Sequence, residues 1–150
     1  MAESLNQFTY TNIKGKVVNG DKGLGLSCKI YGVINVGDFV KIKDVAGSKT
    51  IVIEAIAADT DLIFGMIPYE SAKKNAYVSG DMVTVMTDYS IVVCEAGAAI
   101  AAGATVMPVV SGMKVVTQTT GKAILGIALK PAAANTDLVE VLVKTVVKAA

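Results

Sequence analysis

From Ile13 onward the chain is cut into short runs in which apolar and polar positions alternate, with Gly, Asp, Asn and Ser clustered between them. A period of two over four to eight residues is the signature of a half-buried strand, and the clusters mark turns. On that basis strands are predicted over 30–43 (broken near Gly37-Asp38), 50–56, 62–67, 82–86, 91–94, 105–110, 114–117, 123–129 and 138–147. Asp44 to Lys49 reads as a hairpin turn and Asp59-Thr60-Asp61 as another. Pro68 to Asn75 is the one short helix the pattern allows, because no helical period is sustained over twelve residues. Residues 1–12 are polar and without period, so they read as an extended arm. No linker-like run divides the chain beyond the arm. The expected fold is therefore all-β: a small β-barrel or β-sandwich of short antiparallel strands. It has an arm at 1–12, one β-rich domain at 13–150, and at most one short helix near Tyr69–Asn75.

The punctuation repeats. Val36-Gly37-Asp38-Phe39-Val40-Lys41-Ile42 resembles Ser79-Gly80-Asp81-Met82-Val83-Thr84-Val85, and Ala102-Gly103-Ala104-Thr105-Val106-Met107 keeps the glycine without the aspartate. Each glycine can take positive φ at a tight turn, and the following residue opens an alternating strand. An ion site using Asp38 and Asp81 is the sharper alternative, but no EF-hand-like spacing of oxygen ligands accompanies them.

Composition narrows the chemistry. The chain has 14 cationic and 13 acidic residues, every cation is lysine, and histidine and tryptophan are absent. Without histidine there is no Ser-His-Asp or Cys-His arrangement and no imidazole base. The usual Cys/His zinc site is excluded as well. A net charge of +1 with 5% aromatics supplies neither the basic field nor the stacking surface of a nucleic-acid binder. Ile91 to Val110 carries one charge, Glu95, over a length that could span a membrane. It is rich in Ala and Gly, however, and divides at Gly97 and Gly103 into strand, turn and strand. The start has no basic and apolar regions of a secretory signal.

Motif by motif, the catalytic candidates fall away. Gly47-Ser48-Lys49-Thr50 has a serine between glycine and lysine and a strand after it, so it is a turn, not a phosphate-binding loop. Gly20-x-x-Gly23-x-Gly25 is not a dinucleotide fingerprint and reads as a flexible loop. Ser71-Ala72-Lys73-Lys74 matches Ser-x-x-Lys without the partner motifs of penicillin-recognising enzymes. Of the two cysteines, Cys28 and Cys94, the latter follows the apolar run Ile91-Val92-Val93 and reads as a buried, inert thiol, and their spacing fits neither a disulfide-rich scaffold nor a CxxC motif. Gly112-Met113-Lys114-Val115 approaches the biotinyl hairpin but has Val115 where the second methionine belongs, so Lys114 reads as a solvent-facing strand residue. No catalytic, cofactor-binding or metal-binding residue is assigned, and the chain is expected not to be an enzyme.

One order of motifs points further. Glu95-Ala96-Gly97-Ala98-Ala99-Ile100-Ala101-Ala102-Gly103-Ala104-Thr105-Val106 is followed by Gly112-Met113-Lys114-Val115. Ala123-Ile124-Leu125-Gly126-Ile127-Ala128-Leu129 and Leu138-Val139-Glu140-Val141-Leu142-Val143 come next. This order resembles the capsid cement, or decoration, proteins of tailed bacteriophages, over about residues 76–147; the N-terminal half matches in its Gly-Asp-x-Val punctuation. The resemblance implies a structural virion protein on the outer surface of the capsid, made in the host bacterial cytoplasm. It implies bridging of major capsid protein subunits and self-association, with a homotrimer favoured over a dimer. It implies no cofactor, nucleic acid or membrane. The arm at 1–12 is expected to contribute to the contact, since polar termini can order on a partner. Two alternatives stand beside it: a small β-barrel carrier with a biotinyl- or lipoyl-like modification on Lys114, and a secreted carbohydrate-binding module, disfavoured by scarce aromatics.

Overall fold

A computed structural model describes residues 14–18, 23–69 and 76–145, and the arm, Gly20 and Ser71–Lys74 lie outside them. The described residues form strands and no helix. The first seven strands are β1 (Gly25–Ile30), β2 (Ile34–Asn35), β3 (Phe39–Ile42), β4 (Val52–Ala55), β5 (Gly65–Met66), β6 (Ala76–Tyr77) and β7 (Met82–Met86). The remainder are β8 (Ile91–Glu95), β9 (Thr105–Val109), β10 (Lys114–Thr117), β11 (Gly126–Ala128) and β12 (Leu138–Val143).

The all-β expectation holds, with two corrections to the strands. Gly25 opens a strand where a flexible loop was expected, because Leu26, Cys28 and Ile30 alternate inward although only Ile30 is β-branched. One strand pair is parallel: β1 against β4, with Lys29 opposite Val52 and Ile30 opposite Ile53. Pro68 and Tyr69 are not helical, and the rest of the expected helix, 70–75, lies outside the described residues.

Strands β1, β4, β3, β5 and β7 close a barrel, and β2 pairs with β6 beside it. The second half is a sheet in the order β10-β9-β11-β12-β8, whose two ends are joined by a parallel bridge from Ala96 to Val115. Laid side by side, the halves are the same object. The β1–β7, β3–β4, β3–β5 and β5–β7 pairs are repeated, all antiparallel, by β8–β12, β9–β10, β9–β11 and β11–β12. The parallel β1–β4 closure corresponds to Ala96–Val115, and β2–β6 corresponds to the bridge from Ile100 to Ala132. Single hydrogen bonds match too. Gly37 N–H donates to Ile67 O (2.9 Å) and Gly103 N–H to Ala128 O (2.7 Å), while Phe64 and Leu125 N–H donate to Val40 and Val106 O. In sequence, Cys28/Cys94, Ile34/Ile100, Gly37/Gly103 and Val40/Val106 are all separated by 66 positions. The described residues form a tandem of two topologically equivalent five-stranded barrels, the second closed by the single Ala96–Val115 bridge.

Two packing requirements explain the shared residues. Gly65 and Gly126 occupy the same place, and a Cβ there would run into the carbonyl oxygens of Met86 and Leu142 on the neighbouring strand. Only glycine lets those strands close. The repeated turns use aspartate as a clamp: the carboxylates of Asp38, Asp61, Asp81 and Asp137 accept the N–H of Asn35, Ala58, Val78 and Ala134, three residues back, at 2.9–3.0 Å. A bond to an ionised acceptor is worth about 1.5–3 kcal/mol, enough to fix where each following strand begins. One core, around Cys28, Ile30, Val40 and Ile53, fills the first barrel. The other joins Phe39, Ile56, Met66 and Met86 of the first barrel to Val92, Leu125 and Val141 of the second, packing the two together.

Candidate interaction surface

The residues singled out in the sequence are all used structurally where they are described. Gly47, at φ 77°, and Ser48 turn the β3–β4 loop, with Ser48 N–H on Val45 O and Ser48 Oγ on Thr50 O; the strand β4 follows. Lys114 is the first residue of β10, after the Val110–Met113 turn rather than at its tip, and its Nζ donates to Asn135 Oδ1 at 2.9 Å. Cys28 and Cys94 are free thiols, fully buried at equivalent positions of separate cores. Burial raises the Cys28 thiol and pushes Cys94 up to about 12, so neither ionises near neutral pH. Asp38 and Asp81 close their own turns, and the described residues contain no group of His, Cys, Asp and Glu able to hold a metal ion. Burial raises Asp38, against the opposing pull of the Asn35 N–H and Lys14. At Asp61 burial also acts upward, but the N–H groups of Ala57 and Ala58 and the Lys41 ammonium outweigh it and hold the carboxyl low. Ile91 to Val110 is strand, turn and strand, and no helix among the described residues is long and apolar enough to cross a membrane.

What the sequence did not reveal is how unevenly the two barrels meet solvent. Of twelve exposed large apolar side chains among the described residues, eight lie between Leu24 and Met82 and two between Ile91 and Val143. Exposed apolar side chains concentrated in one half of a small protein mark a contact surface where they form contiguous patches. This concentration has two parts. One is an open groove of about 620 Å³ lined by Leu24, Leu26, Ile42, Leu62 and Phe64. Its charged rim is internally satisfied: Lys41 Nζ lies 2.9 Å from Asp61, and Asp88 accepts both Thr145 N–H and Oγ1 at 3.0 Å. The second is a loop cluster in which Gly32 N–H donates to Ser79 Oγ, holding the loops of Tyr31, Val33 and Val78 together. Lys43 Nζ sits 4.6 Å from the centre of the Tyr31 ring and 3.9 Å from Glu54.

The chain matches the family model of phage cement proteins over residues 17–145, which is nearly all of both barrels. The chain belongs to the phage cement protein family. As a cement-family protein it is a structural component of the phage capsid. Among solved structures it is similar to the N base of head fiber gp8.5 of bacteriophage phi29, with a TM-score of 0.53 and 16% identity, covering 81% of this chain and 93% of that one. At that identity the likeness speaks to the fold. A search of curated proteins finds none that matches.

Proposed function

We propose that this cement-family chain decorates the outer surface of a tailed-phage capsid and bridges adjacent major capsid protein subunits. It acts as a homo-oligomer, a trimer in preference to a dimer, and performs no catalysis. The observation that carries the reading is the concentration of exposed apolar side chains on the first barrel, against few on the second, among the described residues. A protein that grips a lattice with one face and shows the other to solvent needs this division. Closed cyclic symmetry suits a repeated lattice, whose local three-fold positions favour a trimer. The core shared by both barrels supports residues 13–150 folding as one unit, and the polar arm at 1–12, whose sequence has no apolar pattern, adds to attachment.

The test is co-sedimentation of purified protein with heads assembled without it. Saturation at a fixed copy number per head supports the proposal, and deletion of residues 1–12 lowers the affinity while the β-sheet circular dichroism is unchanged. Protein that stays in the supernatant at every concentration refutes it.

A further inference from the structure

The tandem repeat sets two equivalent strand edges side by side. In the second barrel the edge of β8 beyond its pairing with β12 is covered by the chain's own segment Gly15–Val18. Gly15 N–H donates to Val93 O (2.8 Å), Val93 N–H to Lys16 O (2.9 Å), Val18 N–H to Ile91 O (2.7 Å), and Val17 bridges Val92 antiparallel. Val17 packs on the core beneath it, and Val92, Leu125 and Ala123 are buried there.

The equivalent edge in the first barrel belongs to β1. Thr87 N–H on Leu24 O and Ile30 N–H on Asp81 O turn the even-numbered residues of β1 toward β7. The odd-numbered ones therefore face the other way. Lys29 and Tyr31 N–H find Ile51 and Ile53 O on that side, but β4 reaches no further than Lys29, and Gly25 and Ser27 have no partner there among the described residues. The side chains agree with the backbone. Leu26, the counterpart of Val92, and Phe64, the counterpart of Leu125, are half-buried; Leu62 is 50% exposed where its counterpart Ala123 is 2%. The apolar groove is the slot that Gly15–Val18 fills in the second barrel, and no described residue fills it in the first.

We infer that this slot takes an extended segment of a capsid subunit, added antiparallel to Gly25–Ser27 with an apolar side chain seated on Leu26 and Phe64 as Val17 is seated in the second barrel. Strand addition draws affinity from main-chain hydrogen bonds and selectivity from the alternate side chains. Because the slot is lined by Leu24, Leu26, Ile42, Leu62 and Phe64 and Lys41 is paired with Asp61, the segment it accepts is apolar at its centre. The assignment of the segment to the capsid rests on the cement reading.

Two measurements on undecorated heads and purified protein test it. In the first, Leu62 is replaced by the photo-crosslinker p-benzoylphenylalanine, and irradiation of decorated heads is expected to join it to the capsid subunit. In the second, Ser27→Pro removes the outward N–H and Leu62→Lys puts a charge in the slot. Each is expected to weaken head binding at least tenfold while thermal unfolding of the free protein stays within a few degrees of wild type. A crosslink to another copy of this chain, or within the chain, overturns the inference and leaves the cement reading intact. So does unchanged head binding by both variants while wild type binds. Wild type that binds no heads at all defeats the cement reading, and this inference with it.

Discussion

Adding a single methyl group at Gly126 tests whether the two barrels are built to one plan. A Cβ there overlaps the Leu142 carbonyl oxygen, and lies 2.9 Å from the Leu142 carbonyl carbon and 3.0 Å from the Lys144 nitrogen. All three are backbone atoms of β12 or the residue just beyond it, so no side-chain rotation relieves the contact. β11 must move off β12, with loss of the ladder at Ile127–Leu142. Overpacking of this kind costs about 1–3 kcal/mol, and a rigid backbone neighbour places Gly126→Ala at about 3. For a chain of this length the midpoint falls by roughly 2–4 °C per kcal/mol, so the drop is about 6–12 °C. Differential scanning calorimetry and urea titration of the purified protein measure it. Gly65→Ala meets the Met86 carbonyl oxygen in the same way and has the same sign and similar size. Gly47→Ala, in open space at positive φ, loses only the conformational term of about 1 kcal/mol. Alanine at 126 and 65 within 0.5 kcal/mol of wild type, as for ordinary surface changes, refutes the equivalence of the two positions.

The same comparison of barrels yields further expected outcomes. Leu125→Ala empties a fully buried site and costs about 2–5 kcal/mol, whereas Phe64→Ala, at the equivalent half-buried place, costs clearly less in the free protein; denaturant curves separate the two. Thr136 holds φ 77° where its counterpart is Gly80, so Thr136→Gly stabilises by about 0.5–1 kcal/mol, net of the greater freedom glycine has when unfolded. Both thiols resist a thiol reagent at pH 8 until the protein is unfolded, after which two groups react; rapid native labelling of Cys94 contradicts its burial. Asp61, held low when folded, contributes stability above its ordinary value near 3.8, and that contribution disappears as pH falls through the folded value. Asp61→Asn therefore flattens the acid limb of the stability profile, and an unchanged limb would count against the Lys41 and backbone contacts.

Turn chemistry made the fold class legible. The Gly-Asp pairs at 37–38 and 80–81 stand at real turns that launch β3 and β7, and the alternation after them gives the strands their faces. The strand β1 escaped notice because Gly25, Ser27 and Lys29 on its outer face carry little β propensity, and only Leu26, Cys28 and Ile30 mark it. The duplication was written in the spacing of Cys28 to Cys94, which is shared by Ile34, Gly37 and Val40 with their partners. Short motif matching aligned Gly37 with Gly103, its true equivalent, but set beside them the turn at 79–82, which is a different turn of the first barrel. The groove was not legible. It depends on β4 pairing with only two residues of β1, a consequence of where the β3–β4 loop swings away, and no local pattern encodes that.

Cementing is the central claim. A ligand that binds neighbouring subunits only while they are together stabilises the assembly by mass action, and many copies per head make the effect steep. The direct measurement is the temperature at which DNA-filled heads release their DNA, read by dye fluorescence across a titration from undecorated to saturated. A cement role predicts a release temperature that climbs with occupancy and levels off at saturation. Heads that bind the protein to saturation and still release their DNA at the temperature of undecorated heads would contradict it.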